Sequence, residues 1–272
     1  DIAEELASHG FVVVAAEHSY GAAAVRFEDG TIIQASARIL PSRSETPDFL
    51  DYANRLVTTF ASDNRFLLAY LAEAPGTGPA DAAPIDERVA GITGRIDFDR
   101  IGLVGHSTGG GAMVDMVLGD RALGDGGVAV RALVGLDAWV EPLGRERLQS
   151  GRYTVPSLFL RSEQWEGGTN DSYLVPFVER AGGSAVGRGE GTAGDSASVP
   201  AAGVERAGDA SVPVELRQIA GITHAQFSTL YMYRPVMQWI GYLGSADTVD
   251  FAHEQRRIIR EFLQTQLQLN AS

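Results

Sequence analysis

A serine in a glycine-rich turn carries the strongest chemical signal in the sequence. The motif Gly105-His-Ser107-Thr-Gly109 follows an apolar, strand-like run at residues 101–104 and precedes a helical pattern that begins at Thr108. The two flanking glycines permit a sharp turn between strand and helix, which leaves the serine hydroxyl exposed at the helix N-terminus. This context predicts a nucleophile elbow with Ser107 as the nucleophile. The backbone N–H of Thr108 is then expected to donate to an oxyanion.

A serine hydroxyl is a poor nucleophile without a base, and two histidines follow Ser107 in the chain. His224 lies in a predicted turn just after the last strand-like run, where a loop can bring its ring to the serine. His253 lies in a predicted C-terminal helix beside Glu254, a pattern typical of a solvated helix face. We therefore predict His224 as the general base.

The acid that orients the base has two candidates. Asp137 ends the apolar run at residues 132–136, and Glu163 follows the apolar run at residues 157–160. Either carboxylate would lie near the carboxyl end of a strand, where it could orient a histidine on a neighbouring loop. The residues alone leave both candidates open.

Composition excludes several other kinds of chemistry. The chain has no Cys, and all 22 basic residues are Arg, so cysteine nucleophiles, thiolate metal sites and lysine chemistry are excluded. The histidine spacings match no zinc motif, and the glycine run lacks the dinucleotide spacing. We predict no metal and no cofactor. Thirty-five acidic residues give a formal net charge of −13, which argues against a nucleic-acid partner.

The elements that must position these residues alternate between strands and helices. Strands are predicted at five short apolar runs, namely residues 11–16, 100–105, 130–136, 155–160 and 214–219. Helical spacing is found over residues 47–72, 108–118, 171–180 and 250–267. This alternation predicts an α/β fold, with an open and mostly parallel sheet flanked by helices.

A single domain is expected over residues 1–272, since α/β domains commonly reach this length. Residues 181–211 are rich in Gly, Ala and Ser, and we predict a flexible insertion there because so few large apolar side chains are available for burial. Residues 75–84 are predicted to form a loop. The first ten residues resemble the end of a helix, so we expect the true N-terminus to be missing, and the absence of a targeting signal then says nothing about location.

Five sequence blocks occur in the order expected for one known family. They are residues 6–18, 102–110, 136–139, 159–165 and 221–224. Together they resemble the platelet-activating factor acetylhydrolase family of the plasma and intracellular type II kind. The resemblance implies an α/β-hydrolase fold whose leading strands are missing from this chain. It also implies Ser107 as nucleophile, Asp137 as acid and His224 as base, which decides the choice against Glu163.

The same resemblance implies an activity. Members of this family are calcium-independent serine esterases that remove acetyl or other short acyl groups from the sn-2 position of glycerophospholipids. In that family a second oxyanion donor comes from a Gly-rich segment that this sequence does not contain. Because fold and triad fix the reaction but not the substrate, a broader carboxylesterase or polyester hydrolase is the alternative, and a non-catalytic binding module of the same fold is the third hypothesis.

Large apolar side chains crowd the segment after His224, between Phe227 and Leu243. Such a run is more often core packing, and the functional alternative is a lid or an interfacial patch that contacts lipid. The expected partner is a phospholipid or another ester substrate, with lipid-surface contact as the additional hypothesis. An acidic, cysteine-free esterase that acts on lipid favours export or a membrane-peripheral location.

Overall fold

The computed structural model describes residues 1–72, 91–118, 122–123, 128–150, 153–189 and 212–269. In this part of the chain, two strands form a short antiparallel hairpin, β1 (Ala24–Arg26) and β2 (Ile32–Gln34). Six others form one sheet, and they are β3 (Ile101–His106), β4 (Ala122–Leu123), β5 (Val128–Leu136), β6 (Ser157–Ser162), β7 (Ser184–Gly189) and β8 (Val214–Ile219). The order β3-β5-β6-β8-β7 is parallel throughout, and β4 pairs antiparallel with β5.

Helices accompany this sheet in chain order. They are α1 (Ile2–Ser8), α2 (Phe49–Ala72), α3 (Thr108–Val117), α4 (Gly144–Gln149), α5 (Asp171–Arg180), α6 (Arg234–Trp239) and α7 (Thr248–Gln266). The four helices and the last four strands predicted from the sequence are confirmed to within two residues at each end. The prediction of a mostly parallel α/β sheet is therefore confirmed.

Two buried clusters cover the two faces of the sheet. On β6, Phe159 packs into the cluster shared with α2, α3 and α5, whereas its neighbours Leu158 and Leu160 pack into the cluster shared with α1 and α7. This alternation is the period-two pattern of a strand that is buried on both sides. The central strands are therefore buried on both faces, and this packing fixes where the residues at their ends lie.

The strand predicted at residues 11–16 is wrong. The segment has neither helix nor strand structure, and no other strand in the described part of the chain pairs with it. Val12 and Val14 are 45% and 50% exposed, whereas Phe11 and Val13 pack against the cluster beneath α7. A run of β-branched residues is typical of a strand. A strand also requires a neighbouring strand that pairs with its backbone hydrogen-bonding groups.

The predicted insertion at residues 181–211 begins with an ordered strand. Residues 184–189 form β7, which pairs in parallel with β8 at the edge of the sheet, so the prediction of a flexible tract is wrong there. A ladder of backbone hydrogen bonds needs no large side chains, and composition therefore does not reveal an edge strand. Residues 190–211 and the loop predicted at residues 75–84 lie outside the described residues. The single domain over residues 1–272 stays a prediction.

Among the described residues, none of the helices combines the length and the apolar character needed to cross a bilayer. The same part of the chain contains no group of three or more His, Asp or Glu side chains arranged to hold a metal ion.

Candidate active site

The candidate site lies where four parallel strands end side by side. Ser107 follows β3 directly, Asp137 follows β5, Glu163 follows β6, and His224 lies on the loop after β8. These strands are consecutive neighbours in the order β3-β5-β6-β8. Because the carboxyl ends of parallel strands meet at one edge, residues far apart in sequence come together here.

Ser107 occupies a strained turn that its surroundings hold in place. Its backbone has φ 54° and ψ −120°, in the left-handed region that non-glycine residues rarely adopt. Its N–H donates to the carbonyl of Leu136 at 3.0 Å, and its own carbonyl accepts from Gly111 at 3.1 Å and from Trp139 at 2.9 Å. Three backbone hydrogen bonds thus stabilise the turn, which has the geometry expected of a nucleophile elbow.

Glycines let the helix after the turn approach the neighbouring backbone closely. A Cβ on Gly105 would lie 2.5 Å from the carbonyl oxygen of Gly109, and a Cβ on Gly111 would lie 2.1 Å from that of Trp139. No side chain fits at either distance without moving backbone. Packing of α3 against the ends of β3 and β5 therefore requires Gly105 of the motif and Gly111 beyond it, whereas a Cβ on Gly109 would meet no atom within 4 Å.

Asp137 is the carboxylate that contacts His224. Its Oδ2 lies 3.0 Å from Nδ1 of His224, and the side chain of the aspartate is fully buried. The carboxylate also accepts from the N–H of Ser162 at 2.7 Å and from its hydroxyl at 2.6 Å. Three donors therefore surround the buried charge, and they fix the direction in which it faces the imidazole.

The second carboxylate candidate has a different partner. Glu163 accepts a hydrogen bond from the N–H of Gly221 at 2.7 Å, three residues before His224. The structure thus brings Asp137, and not Glu163, to the imidazole. His253, the other histidine considered, lies exposed on α7 with its Nδ1 2.9 Å from the guanidinium of Arg256.

His106, inside the serine motif, supports the backbone of the histidine loop. Its Nε2 lies 3.1 Å from the carbonyl oxygen of His224, and a carbonyl can only accept, so this nitrogen carries the proton. Burial lowers the pKa of His106 to about 4, and the neighbouring His224 ring acts in the same direction. His106 is therefore a neutral donor at neutral pH.

Three residues that contact Asp137 or His224 were not predicted from the sequence. Ser162, at the end of β6, binds Asp137 as described above. Gln164 accepts the N–H of His224 at 2.9 Å, and the indole of Trp165 stacks on the imidazole with ring centroids 4.4 Å apart and an angle of 3° between the planes. The sequence shows only that residues 162–165 follow a predicted strand, and that this strand lies beside β5 is known from the structure alone.

The hydroxyl of Ser107 has no hydrogen bond to His224 in the described part of the chain. Such bonds are often long before substrate binds and shorten in the reactive complex. Thr108 is the first residue of α3, and the first N–H groups of a helix have no carbonyl partner within that helix. The N-terminus of α3 therefore presents free donors and a partial positive charge beside Ser107.

The apolar run after His224 divides into two parts. Phe227 and Leu243, at its ends, are buried at 3% and 8% exposure, as core packing predicts. Between them, residues 230–242 expose large apolar side chains, and we call them the exposed apolar segment. Trp239 reaches 86% exposure, and the other exposed members are Leu230, Met232, Tyr233, Val236, Ile240 and Tyr242.

Known proteins resemble this chain in sequence and in overall structure. The sequence profile described as platelet-activating factor acetylhydrolase, isoform II, matches residues 1–186. Platelet-activating factor acetylhydrolase of Bos taurus is 26% identical over 168 residues, which cover 60% of this chain and 36% of the relative. The Cavia porcellus protein of the same name is 22% identical over 178 residues, covering 64% and 39%. The chain thus spans less than two fifths of the length of these relatives.

A ferulic acid esterase from Streptomyces cinnamoneus has a similar structure, with a TM-score of 0.55 at 19% sequence identity. The match covers 94% of this chain and 59% of that one. It shows the fold, and the predicted α/β-hydrolase fold is confirmed. Since the family profile covers more than half of the sequence, this chain belongs to the platelet-activating factor acetylhydrolase, isoform II, family.

Proposed function

We propose that this chain carries the catalytic centre of a serine esterase that hydrolyses short acyl esters at the sn-2 position of glycerophospholipids. The observation that carries the proposal is the buried Asp137 bound to His224 at the same sheet edge as the strained Ser107 turn. Family membership supports the lipid ester as the substrate class.

In the proposed mechanism, the hydroxyl oxygen of Ser107 attacks the ester carbonyl while Nε2 of His224 removes its proton. Asp137 stabilises the imidazolium that forms, and the N–H of Thr108 donates to the oxyanion. The imidazolium then protonates the departing lyso-lipid alcohol, which leaves an acyl-serine. Water, deprotonated by His224, attacks the acyl-serine, and the proton returns to Ser107 as the short carboxylic acid departs.

Groups of the chain itself stabilise the two charges that form in this mechanism, on the oxyanion and on the imidazole. The negative charge on the oxyanion faces the N-terminus of α3, and the positive charge on the imidazole faces Asp137. The proposal therefore includes independence from calcium. It also includes contact with a lipid surface through the exposed apolar segment, because large apolar side chains grouped on a surface are typical of interfacial binding.

A substrate comparison tests the proposal. We expect the chain to release acetate from a phospholipid with an sn-2 acetyl group, at equal rates with calcium and with a chelator, and we expect Ser107→Ala to abolish this release. Hydrolysis of a short nitrophenyl ester without any on the phospholipid would favour the broader carboxylesterase or polyester hydrolase. If neither substrate were hydrolysed, a non-catalytic binding module would replace the enzyme.

A further inference from the structure

Three consecutive residues after β6 each contact the loop that carries His224. Glu163 accepts the N–H of Gly221 at 2.7 Å, Gln164 accepts the N–H of His224 at 2.9 Å, and Trp165 stacks on the His224 ring at 4.4 Å. We call Glu163–Trp165 the positioning turn. Its contacts reach both the backbone and the ring of the candidate base.

The loop that carries His224 needs such support, because without it a hydrogen bond would hold only one atom of the His224 ring. The bond to Asp137 holds Nδ1, but one hydrogen bond leaves the imidazole free to swing about that contact. His224 also lies five residues beyond the end of β8, past Gly221 with its positive φ of 72°. A stacked indole restricts the plane of the ring, and a bound N–H restricts the backbone from which the ring projects.

The positioning turn is itself anchored to the strands on both sides. Ser162, the residue before it, binds Asp137 through its N–H and its hydroxyl. Glu166, the residue after it, accepts from the side-chain amide of Gln218 on β8 at 2.6 Å. The turn therefore connects the end of the strand beside the acid with the strand that leads to the base. A displacement of either strand end would be transmitted to the ring.

His106 completes the contacts of His224 with the strand ends. It donates to the carbonyl of His224, and the two ring centroids are 4.5 Å apart. Both backbone polar groups of His224 thus have side-chain partners, one in the positioning turn and one in the serine motif. These contacts determine where Nε2 lies relative to the Ser107 hydroxyl.

We propose that Gln164 and Trp165 are positioning residues that hold His224 in the orientation required for proton transfer from Ser107. This inference rests on the proposed esterase function. Gln164 is exposed, so its hydrogen bond contributes little to folding. Its effect should appear in the rate of the chemical step, where small misplacements of a reacting group are costly.

A matched pair of variants tests the role of Gln164. Gln164→Met keeps the length of the side chain and removes the acceptor, whereas Gln164→Glu keeps an acceptor oxygen. With a soluble short-chain ester, we expect Gln164→Met to lower kcat about tenfold with KM within about twofold, and Gln164→Glu to stay within about threefold of the wild type. A role in folding alone would lower the melting temperature and leave the kcat of the folded protein unchanged.

Trp165 is tested in the same way. Trp165→Leu removes the aromatic face, and we expect a loss in kcat of about tenfold, whereas Trp165→Phe keeps a ring that can stack and should recover most of the loss. Hydrogen–deuterium exchange over residues 221–227 gives a readout that does not depend on activity. The amide of His224 should exchange faster in Gln164→Met than in the wild type or in Gln164→Glu.

The outcomes separate this inference from the proposed function. An active wild type with unchanged kcat in Gln164→Met and Trp165→Leu would overturn the positioning role and leave the esterase intact. Equal losses in Gln164→Met and Gln164→Glu would also overturn it, since the acceptor would then not matter. A wild type that hydrolyses no ester would overturn the proposed function, and the positioning role with it.

Discussion

The chain after β8 contains two adjacent regions of opposite character. In the first, His224 has partners for its N–H, its carbonyl and Nδ1, and its ring contacts two other rings. In the second, the exposed apolar segment begins only six residues later and presents large side chains to solvent, up to 86% exposure at Trp239. The first region fixes the position of one ring, and the second offers a surface.

This difference separates two kinds of functional effect. If the proposed function holds, a change near His224 alters the geometry of proton transfer and should affect the hydrolysis of every ester. A change in the exposed apolar segment leaves that geometry intact and should affect only substrates presented in a lipid surface. Substitutions in the two regions should therefore give distinguishable kinetics.

The largest effect is expected at the acid. Asp137→Asn removes the charge that we propose stabilises the imidazolium, and an amide cannot accept from all three donors that surround this site. We expect kcat on a soluble ester to fall about 10³- to 10⁴-fold. Steady-state kinetics of the purified variant measure this loss.

The control is Glu163→Gln, which keeps an acceptor for the N–H of Gly221 and should retain activity within about threefold. An equal loss in both variants would show that the acid has been assigned to the wrong carboxylate.

An intermediate effect is expected at His106, as a dependence of stability on pH. The native state keeps this ring neutral down to about pH 4, whereas the unfolded chain protonates it below its ordinary value of 6.5. The unfolded state therefore binds the extra proton between these pH values, and the free energy of unfolding falls as the pH is lowered through this window. The loss amounts to about 1–3 kcal/mol.

Denaturant titrations at pH 7 and pH 4.5 measure this loss. His106→Gln retains a side-chain donor but does not titrate. In this variant the decrease in the free energy of unfolding should be smaller by about 1–3 kcal/mol. A decrease in His106→Gln equal to that of the wild type would contradict the buried neutral ring.

The smallest effect on chemistry is expected in the exposed apolar segment. Trp239→Ser should leave the rate on a soluble ester unchanged and alter the free energy of unfolding by less than about 0.5 kcal/mol. Binding to phosphatidylcholine vesicles, measured by co-sedimentation, should weaken severalfold. Phe66→Ser is the matched control, because Phe66 is 72% exposed on α2 and lies outside this segment. Equal weakening in both variants, or none in Trp239→Ser, would contradict a specific lipid-contacting surface.

The sequence predicted the elements of the site better than the contacts between them. Ser107 could be proposed because its glycine-flanked motif stands between a strand and a helix, and His224 because only two histidines follow Ser107 in the chain. Asp137 and Glu163 were indistinguishable from the residues alone, since both follow buried strands. The family resemblance favoured Asp137, and in the structure its carboxylate is the one that contacts the imidazole.

Other features depend on tertiary contacts that a linear pattern does not contain. Phe11 and Val13 pack against the core and alternate with exposed valines, as in a strand. A strand nevertheless forms only where a neighbouring strand pairs with it. The stacking of Trp165 on His224 joins residues 59 positions apart, and nothing near Trp165 in sequence marks it. Exposure of the apolar segment was likewise not predictable, because a hydrophobic run is more often buried in the core than exposed for surface contact.

Covalent labelling with a fluorophosphonate, mapped by mass spectrometry of the digested protein, tests whether Ser107 is a nucleophile that His224 activates. We predict one adduct, on Ser107, with no labelling of that site in Ser107→Ala and labelling at least 100-fold slower in His224→Ala. An adduct on a different serine, or labelling of Ser107 at the wild-type rate in His224→Ala, would contradict it.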